Sequence, residues 1–333
     1  MAETFVPTAE MNAILRKSGS NRDQEFRDGL HQLAVALELP LRKGVLSGDI
    51  TGNIFERIAL QPGAAPEFPL DIVAPGTEKD FVAYTIPNHG RIPEKNSEGD
   101  VIMIPTYRVA NSADWLLKFA RDARWDVVSR AMQVFEAGFI KKTNDDAWHL
   151  LLAAGVDRNI VVYDSAASAG QFTKRLVSLM KTIMRRNGGG NSTSTNRGKL
   201  TDMYLSPEGL EDIRDWGADQ LDEISRREAY IADDGSVNRI FMVNLHGIDE
   251  LGEGQEYQNY FTNDLSGSLQ GSDVELVLGL DLRTRDSFVM PVVEEVSVFE
   301  DPNMHRSGRA GIYGWAEHGF GVLDNRRVIL GSF

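Results

Sequence analysis

Residues 60–110 constrain the fold most, because they form strands that cannot build a hydrophobic core of their own. Proline and glycine punctuate the stretch, and two strand-like runs, Asp80–Ile86 and Asp100–Val109, flank a polar tract at Pro87–Gly99. This pattern predicts a long β-hairpin with a polar tip. A two-stranded ribbon is marginally stable in water, so the body of the chain or a neighbouring chain must hold it.

A long amphipathic helix is predicted directly after the hairpin. Ser112 is placed to cap a helix that starts at Ala113 and runs to about Ile140, with apolar residues at intervals of one, three or four. A helix of about 28 residues is roughly 40 Å long, which exceeds the width of a small domain. Thr143 and Asp146 resemble a capping box, which predicts that a second helix starts there.

Further elements are predicted on both sides of this helix. Residues 1–21 read as a polar, extended arm, and a helix over Asp23–Leu37 is expected to end at Pro40. The chain after the long helix is expected to alternate helices and strands, which makes the fold class α+β with a mixed sheet. The predicted elements are a helix over residues 170–187, a strand at Asp202–Leu205, a helix with Ser206 at its cap and Pro207 at its first position, a helical stretch at Leu221–Arg227, and strands at Arg239–Val243, Val274–Leu280, Ser287–Val296, Ala310–Trp315 and Gly319–Val322.

Composition excludes several functional classes. The chain of 333 residues has 35 lysines and arginines against 49 aspartates and glutamates, and its net charge of −14 argues against a uniformly basic nucleic-acid-binding protein. It has no cysteine, which excludes disulfides, thiolate metal sites and cysteine nucleophiles. No apolar run approaches the roughly 18 residues that a membrane helix needs, so no membrane partner is expected.

The sequence motifs point to no catalytic, cofactor-binding or metal-binding residue. Gly198-Lys199 ends a glycine-rich tract, but a phosphate-binding loop needs glycine where this chain has Thr193 and a hydroxyl residue where it has Leu200. His246 and Glu250 have the spacing of a metal clamp on a helix, but the intervening glycine favours a solvated turn. We therefore expect no cofactor, no metal and no enzymatic activity.

Basic residues occur in dispersed pairs rather than in one stripe, and two interpretations are open. The first is charge at helix ends and ion pairing between subunits. The second is a mildly basic lining on one face that accepts packed nucleic acid without reading its sequence. The pairs are Arg42-Lys43, Lys174-Arg175, Arg185-Arg186, Arg226-Arg227 and Arg326-Arg327.

The order of these elements resembles the major capsid proteins of tailed bacteriophages, which have the Hong Kong 97 phage-type capsid fold. Asp80–Val109 resembles the extended loop of that family, and Ala113–Ile140 resembles the spine helix of its peripheral domain. Lys199–Leu210 is similar to the start of its axial domain, and Phe288–Val292 together with Gly311–Val328 resembles the return to the peripheral domain. The resemblance covers nearly the whole chain and rests on architecture, because no short signature defines the family.

The resemblance implies a division into five segments. They are an N-terminal arm over residues 1–58, an extended hairpin loop over 59–110, a peripheral domain with the spine helix over 111–186, an axial domain over 187–285 and the C-terminal part of the peripheral domain over 286–333. In such a molecule the apolar residues of the hairpin are expected to pack largely against other subunits. These residues are Phe81, Tyr84, Ile102 and Ile104.

The resemblance also implies a function. The chain is expected to be a structural protein that self-assembles, through pentamers and hexamers, into an icosahedral shell around double-stranded phage DNA, which it contacts non-specifically. Scaffolding and portal proteins are the other implied partners, and the virion, assembled in the host cytoplasm, is the implied location. Two alternatives stay open: the shell of an encapsulin-type nanocompartment, which shares the fold, and a soluble α+β enzyme whose hairpin is an active-site lid.

The N-terminal arm carries an expectation of its own. Only about 22 residues precede the first predicted helix, too few for a folded scaffolding domain. We therefore expect no N-terminal cleavage, and we expect a separate scaffolding protein or the arm itself to guide assembly. The arm has few apolar residues, Phe5, Val6 and Leu15 among them, so it is expected to become ordered only by docking on a neighbour.

Overall fold

The computed structural model of the chain describes residues 9–48, 50–61, 63–70, 100–187, 198–216, 239–283 and 285–333. Its helices are α1 (Ala9–Lys17), α2 (Asp23–Gly48), α3 (Leu117–Arg121), α4 (Trp125–Asp157), α5 (Lys174–Asn187), α6 (Pro207–Asp215) and α7 (Glu256–Asn259). Its strands are β1 (Glu56–Ala59), β2 (Glu67–Leu70), β3 (Asp100–Met103), β4 (Tyr107–Leu116), β5 (Val161–Val162), β6 (Asp202–Leu205), β7 (Arg239–Ile240), β8 (Val243–Gly247), β9 (Leu276–Leu280), β10 (Phe288–Glu300), β11 (Arg309–His318), β12 (Gly321–Val322) and β13 (Val328–Ser332). The predicted α+β class is confirmed.

These elements form two compact units. The first takes its described residues from 1–66, 103–147 and 290–320, and the second from 67–102, 148–289 and 321–333. Both α4 and β10 contribute residues to each unit. The five-segment division implied by the resemblance stays a prediction, and the two compact units have boundaries of their own.

The first unit is built on a sheet in which β1, β10, β11 and β4 lie side by side. β4 and β11 pair antiparallel over all ten residues of each strand. Apolar side chains of α1, α2 and α4 form one buried cluster with these strands. A Cβ at Gly138 of α4 would clash with the side-chain amide of Asn111 on β4, so glycine lets the helix lie this close to the strand. Asn111 Nδ2 donates to the Phe135 carbonyl at 2.9 Å.

The predicted start of the long helix is wrong. Ser112 does not cap a helix but lies inside β4, and α4 begins only at Trp125, after the short helix α3. Val109, Ala113 and Trp115 are buried at alternate positions, which is the period of a strand. Pairing with β11 satisfies the backbone hydrogen bonds of this segment, so tertiary contacts override the local capping signal.

Two predicted helix ends are also wrong. α4 continues through Thr143 to Asp157, and its 33 residues make it about 50 Å long. α2 likewise continues through Pro40 to Gly48. In both helices the apolar repeat runs on beyond the local signal: Leu41 is buried after the proline, and Thr143 is itself buried on the line of apolar residues. A helix face that keeps burying side chains outweighs a single capping motif or one lost backbone hydrogen bond.

The N-terminal segment is not an extended arm in its described part. Residues 9–17 form α1, which packs on α2 and α3. Leu15 is fully buried in the cluster of the first unit, and Asn12 accepts a hydrogen bond from Trp125 Nε1 at 2.7 Å. Burial against the same chain supplies the stabilisation that the sequence pattern assigned to a neighbouring subunit.

The hairpin prediction falls partly outside the described residues. Residues 71–99, which include Phe81 and Tyr84, are not described. Residues 100–103 of the predicted second strand form β3, which pairs with β2 in a two-stranded sheet. Ile104 is only 3% exposed within its own chain, which corrects the expectation that it packs mainly against other subunits. Ile102 is half-buried.

The second unit is built on a six-stranded mixed sheet in the order β5-β13-β9-β6-β8-β7. β6 runs parallel to β8, and β9 runs antiparallel to β6 and β13. α5 confirms the main part of the helix predicted over residues 170–187. Ser206 caps α6 as predicted, with Pro207 at the first helical position, and accepts a hydrogen bond from the Gly209 N–H at 3.1 Å. The helical stretch predicted at Leu221–Arg227 lies outside the described residues.

The strands of the C-terminal half follow the predicted segments. Each predicted segment after residue 238 contains part of β7, β8, β9, β10, β11 or β12, whereas β13 and β5 have no predicted counterpart. In the part of the chain that the structure describes, no helix combines the length and the apolar character that crossing a bilayer requires.

Truncating Leu15 tests whether α1 belongs to the core of the subunit. We expect Leu15→Ala to lower the free energy of unfolding by about 2–5 kcal/mol, because the side chain is fully buried. The matched control is Arg16→Ala on the exposed side of the same helix, which should change it by less than about 0.5 kcal/mol. Urea denaturation of the unassembled chain measures both. If the two variants are equally stable, α1 does not belong to the core of the subunit, and the prediction of an arm that becomes ordered only on a neighbour is supported.

Candidate anion-binding groove

α5 lies on the sheet of the second unit through its apolar side. Leu176, Val177, Met180 and Met184 are fully buried. A Cβ at Gly331 of β13 would stand 2.9 Å from the Met180 sulfur, so a larger residue there would push the helix away from the sheet. The opposite side of α5 therefore stays at the surface, in a fixed position over the sheet.

Cationic side chains line the exposed side of α5. Lys174, Lys181 and Arg185 recur at intervals of seven and four residues, so they follow one side of the helix. At 1.5 Å per residue, the row they form is about 16 Å long. Arg175 lies beside the row and forms an ion pair with Asp164, with 3.6 Å between Nη1 and Oδ1.

Three other segments complete a concave surface, which we call the basic groove. Lys199 and Leu200 come from the segment before β6, Phe241 from the turn between β7 and β8, and Arg283 from the loop after β9. Of the eleven described residues that line the groove, six are Lys or Arg and none is Asp or Glu. The six cationic residues are Lys174, Arg175, Lys181, Arg185, Lys199 and Arg283.

The turn that forms one wall has an uncommon backbone conformation. Phe241 and Met242 have φ angles of 48° and 64°, in the left-handed region that bulky residues rarely adopt. Two successive positive φ angles suit a tight two-residue hairpin turn. Lys181 donates from Nζ to the Phe241 carbonyl at 2.7 Å, so α5 holds this turn in place. Lys181 therefore contributes both charge and structure to the groove.

A buried carboxylate positions the Arg283 edge of the groove. The Asp281 side chain is fully buried and accepts hydrogen bonds from Arg283 Nη2 at 2.9 Å, Arg327 Nη1 at 3.0 Å and the Lys199 N–H at 2.8 Å. Burial raises the pKa of Asp281, but the bonds from Arg283 and Lys199 outweigh burial and lower its pKa below the ordinary value. Asp281 is therefore ionised at neutral pH. Two guanidinium groups share its single charge, so the cluster stays positive.

The groove is suited to anions that carry several charged groups. Lys and Arg donate charge-assisted hydrogen bonds to phosphate and carboxylate oxygens, and a concave surface of one sign concentrates the field. The row of cations is longer than a single phosphate or carboxylate, so it offers contacts to several charged groups of one extended anion.

His246 and Glu250, which have the spacing of a metal clamp on a helix, do not lie on one helix. His246 lies on strand β8 rather than in the solvated turn expected from the sequence, and its Nε2 is 3.0 Å from Asp202 Oδ1. The two side chains therefore do not lie one helical turn apart on the same face of a helix. Within the described ranges, no group of three or more His, Asp or Glu residues could hold a metal ion.

The basic pairs of the sequence divide between ion pairs and the groove. Arg42 pairs with Glu295, and Arg326 pairs with Asp324 at 2.9 Å, both within the chain. Lys174-Arg175 and Arg185, in contrast, line the basic groove. Arg226-Arg227 lies outside the described residues. The observed ion pairs join residues of one chain, so pairing between subunits and a lining for nucleic acid both stay predictions.

Sequence reasoning did not identify the groove, although four of its six cationic residues lie on a predicted helix. The spacing of Lys174, Lys181 and Arg185 on a predicted helix is a signal that could have identified the α5 row. No comparable signal exists for Lys199 and Arg283, which reach the groove only because β6 and β9 pair in the sheet.

Comparison with known proteins establishes the fold. No protein-family model matches the chain, and no curated protein matches its sequence. The chain is similar to a structure from Microbacterium phage Oxtober96, with a TM-score of 0.58 and 10% identity over 86% of this chain and 90% of that one. It is similar to the capsid of Myoviridae phage XM1, with a TM-score of 0.50 and 13% identity over 85% and 90%. The holo-SrpI encapsulin complex from Synechococcus elongatus gives a TM-score of 0.46 and 12% identity over 84% and 85%.

The similarities to the two phage structures confirm the fold that the order of elements predicted. The chain has the Hong Kong 97 phage-type capsid fold, an α+β fold whose described residues include a long helix and three sheets. At identities of 10% and 13%, the similarity defines the fold and leaves the function to be argued from the chain itself.

Replacing Asp281 tests whether the buried carboxylate holds the groove edge. We expect Asp281→Asn to lower the free energy of unfolding at pH 7 by about 3 kcal/mol, because it leaves the buried Arg327 with only the more distant carboxylate of Asp324, at 3.9 Å, as an anionic partner. Asp286→Asn, an exposed change in the same loop region, is the matched control and should have little effect. Urea denaturation across pH measures both variants.

The same experiment has an expected pH dependence. Folding lowers the pKa of Asp281, so its contribution is present above the pKa of an unfolded aspartate and is lost as pH falls through the lower folded-state value. The stability gap between wild type and Asp281→Asn should therefore narrow in acid. A gap that stays constant down to the lowest pH would contradict the role assigned to the ionised carboxylate.

Proposed function

We propose that the chain is a structural capsid protein that self-assembles into a closed icosahedral shell around a double-stranded phage genome. In this proposal the protein is not an enzyme, and its main partner is itself, arranged in pentamers and hexamers. Scaffolding and portal proteins are its further partners, and the virion, assembled in the host cytoplasm, is its location.

The ribbon of β2 and β3 is the observation that carries the proposal. These strands form a two-stranded sheet, and on β3 the side chains of Val101 and Met103 are 56% and 63% exposed. A two-stranded ribbon is marginally stable in water, and outward apolar side chains on such a ribbon gain stability only from a further surface. A second copy of the chain provides that surface in a shell.

The geometry of such a contact fits a closed assembly. A ribbon that docks on a different surface of the next copy makes a heterologous contact, and heterologous contacts close into rings when the rotation is suitable. The similarity in fold to the phage structures, at TM-scores of 0.58 and 0.50, supports rings of this kind over an enzyme with a hairpin lid.

Charged substitutions on β3 test the proposal. We expect wild-type chain to form megadalton particles, visible by negative-stain electron microscopy and size-exclusion chromatography. Val101→Asp with Met103→Asp should block particle formation, because burying two unpaired carboxylates in a subunit contact costs several kcal/mol. The matched control, Val101→Thr with Met103→Leu, keeps the shapes and the neutral charge and should still assemble.

The thermal unfolding transition separates assembly from folding. The aspartate variant should keep a cooperative transition, because both side chains are exposed in the subunit. If wild type stays a small oligomer under every salt and pH condition, the shell proposal is wrong and the enzyme alternative gains support. If particles form, nuclease-protected DNA inside them supports the phage shell, whereas a protein cargo without DNA supports the encapsulin alternative.

A further inference from the structure

We propose that the basic groove binds the phosphate backbone of double-stranded DNA without reading its sequence. The inference rests on the proposed function, since the duplex would be the packaged genome, and it adds the site at which the subunit meets that genome. With the shell proposal, it places the exposed side of α5 on the inside of the particle.

The length of the cation row matches an extended ligand. Lys174, Lys181 and Arg185 span about 16 Å along α5, and Lys199 and Arg283 widen the row to a groove. One DNA strand advances about 3.4 Å along the duplex axis per phosphate, so the row spans roughly five successive phosphates. A single small anion would leave most of these side chains without a ligand group.

The composition of the groove disfavours a protein partner. The cores of protein–protein interfaces are depleted of charged residues, lysine in particular, and are enriched in aromatic and apolar side chains. Here six of eleven described lining residues are cationic, and Phe241 is the one aromatic residue among them. Lys and Arg contacts to phosphates position a duplex but carry no sequence information, so binding should be independent of sequence.

The charge of the whole chain limits how tightly the groove can hold DNA. The net charge is −14, so the rest of the surface repels a duplex and confines it to the groove. Arg175 and Arg283 are partly neutralised by Asp164 and Asp281. Neutralisation of about four phosphates by the groove predicts a slope of about −3.6 for log K against log salt concentration. Affinity should therefore fall roughly 150-fold between 50 and 200 mM salt.

Fluorescence anisotropy with a labelled duplex of random sequence measures this binding. The full-length chain is used in the Val101→Asp, Met103→Asp background, so that no closed particle hides the groove. The test variant is Arg185→Gln with Lys199→Gln, two exposed groove residues. The matched control is Arg16→Gln with Lys17→Gln, which removes the same charge from the exposed end of α1. Thermal unfolding verifies that both variants fold.

The expected result is specific to the groove variant. For this variant, the slope of log K against log salt concentration should become less steep by about 2. Its affinity for DNA at 100 mM salt should fall roughly 10- to 100-fold, and the loss should be equal for duplexes of different sequence. The control should keep the wild-type slope. An equal loss in test and control variants, or a slope that the groove variant does not change, would overturn the inference.

A second readout separates the groove from the shell. The same two groove substitutions are placed in the wild-type background and particle formation is followed by electron microscopy, with unimpaired assembly expected. If these substitutions abolish particle formation while the salt dependence of DNA binding stays unchanged, the groove is a contact between subunits and the inference is wrong. If wild type forms no particles but the groove variant loses DNA binding, the shell proposal fails while the groove assignment stands.

Discussion

The pairing of β4 with β11 is the constraint on which the first unit depends. It joins Arg108 to Glu317, which are 209 residues apart in sequence, and it fixes residues 113–116 as strand although local signals assign them to a helix. Once β4 is a strand, the long helix can begin only after it, at Trp125. Asn111 of β4 then bonds the Phe135 carbonyl, and α4 is held against the sheet at the position where Gly138 leaves room.

The second unit uses close contact between helix and sheet in the same way. Met180 packs where Gly279 and Gly331 leave space on neighbouring strands, so α5 lies close to the sheet and turns its polar side outward. The pairing of β6 with β9 brings the chain ends that carry Lys199 and Arg283 to the same edge. Asp281 stabilises that edge because its buried charge has two guanidinium partners.

The two proposals describe one physical arrangement. In these proposals, an acidic chain with a net charge of −14 resists non-specific binding to DNA over most of its surface, whereas the basic groove allows a contact that is weak and dependent on salt. A contact of this kind suits a container, because packaged DNA must be accommodated and later released. Subunit contacts made by apolar side chains such as Val101 and Met103 are much less sensitive to salt, so assembly and DNA contact can respond to different conditions.

The sequence by itself determined the features that depend on local periodicity. The helix at 174–187, the Ser206 cap and the α+β order all follow from apolar spacing and capping chemistry over a few residues, and the order of elements was enough to predict the capsid fold. Only the tertiary structure decided that Ser112 lies in a strand and that Phe241 and Met242 form a tight turn. The physical reason is that strand pairing, a strained turn and a shared anion such as Asp281 are stabilised by partners distant in sequence, whose position no local pattern contains.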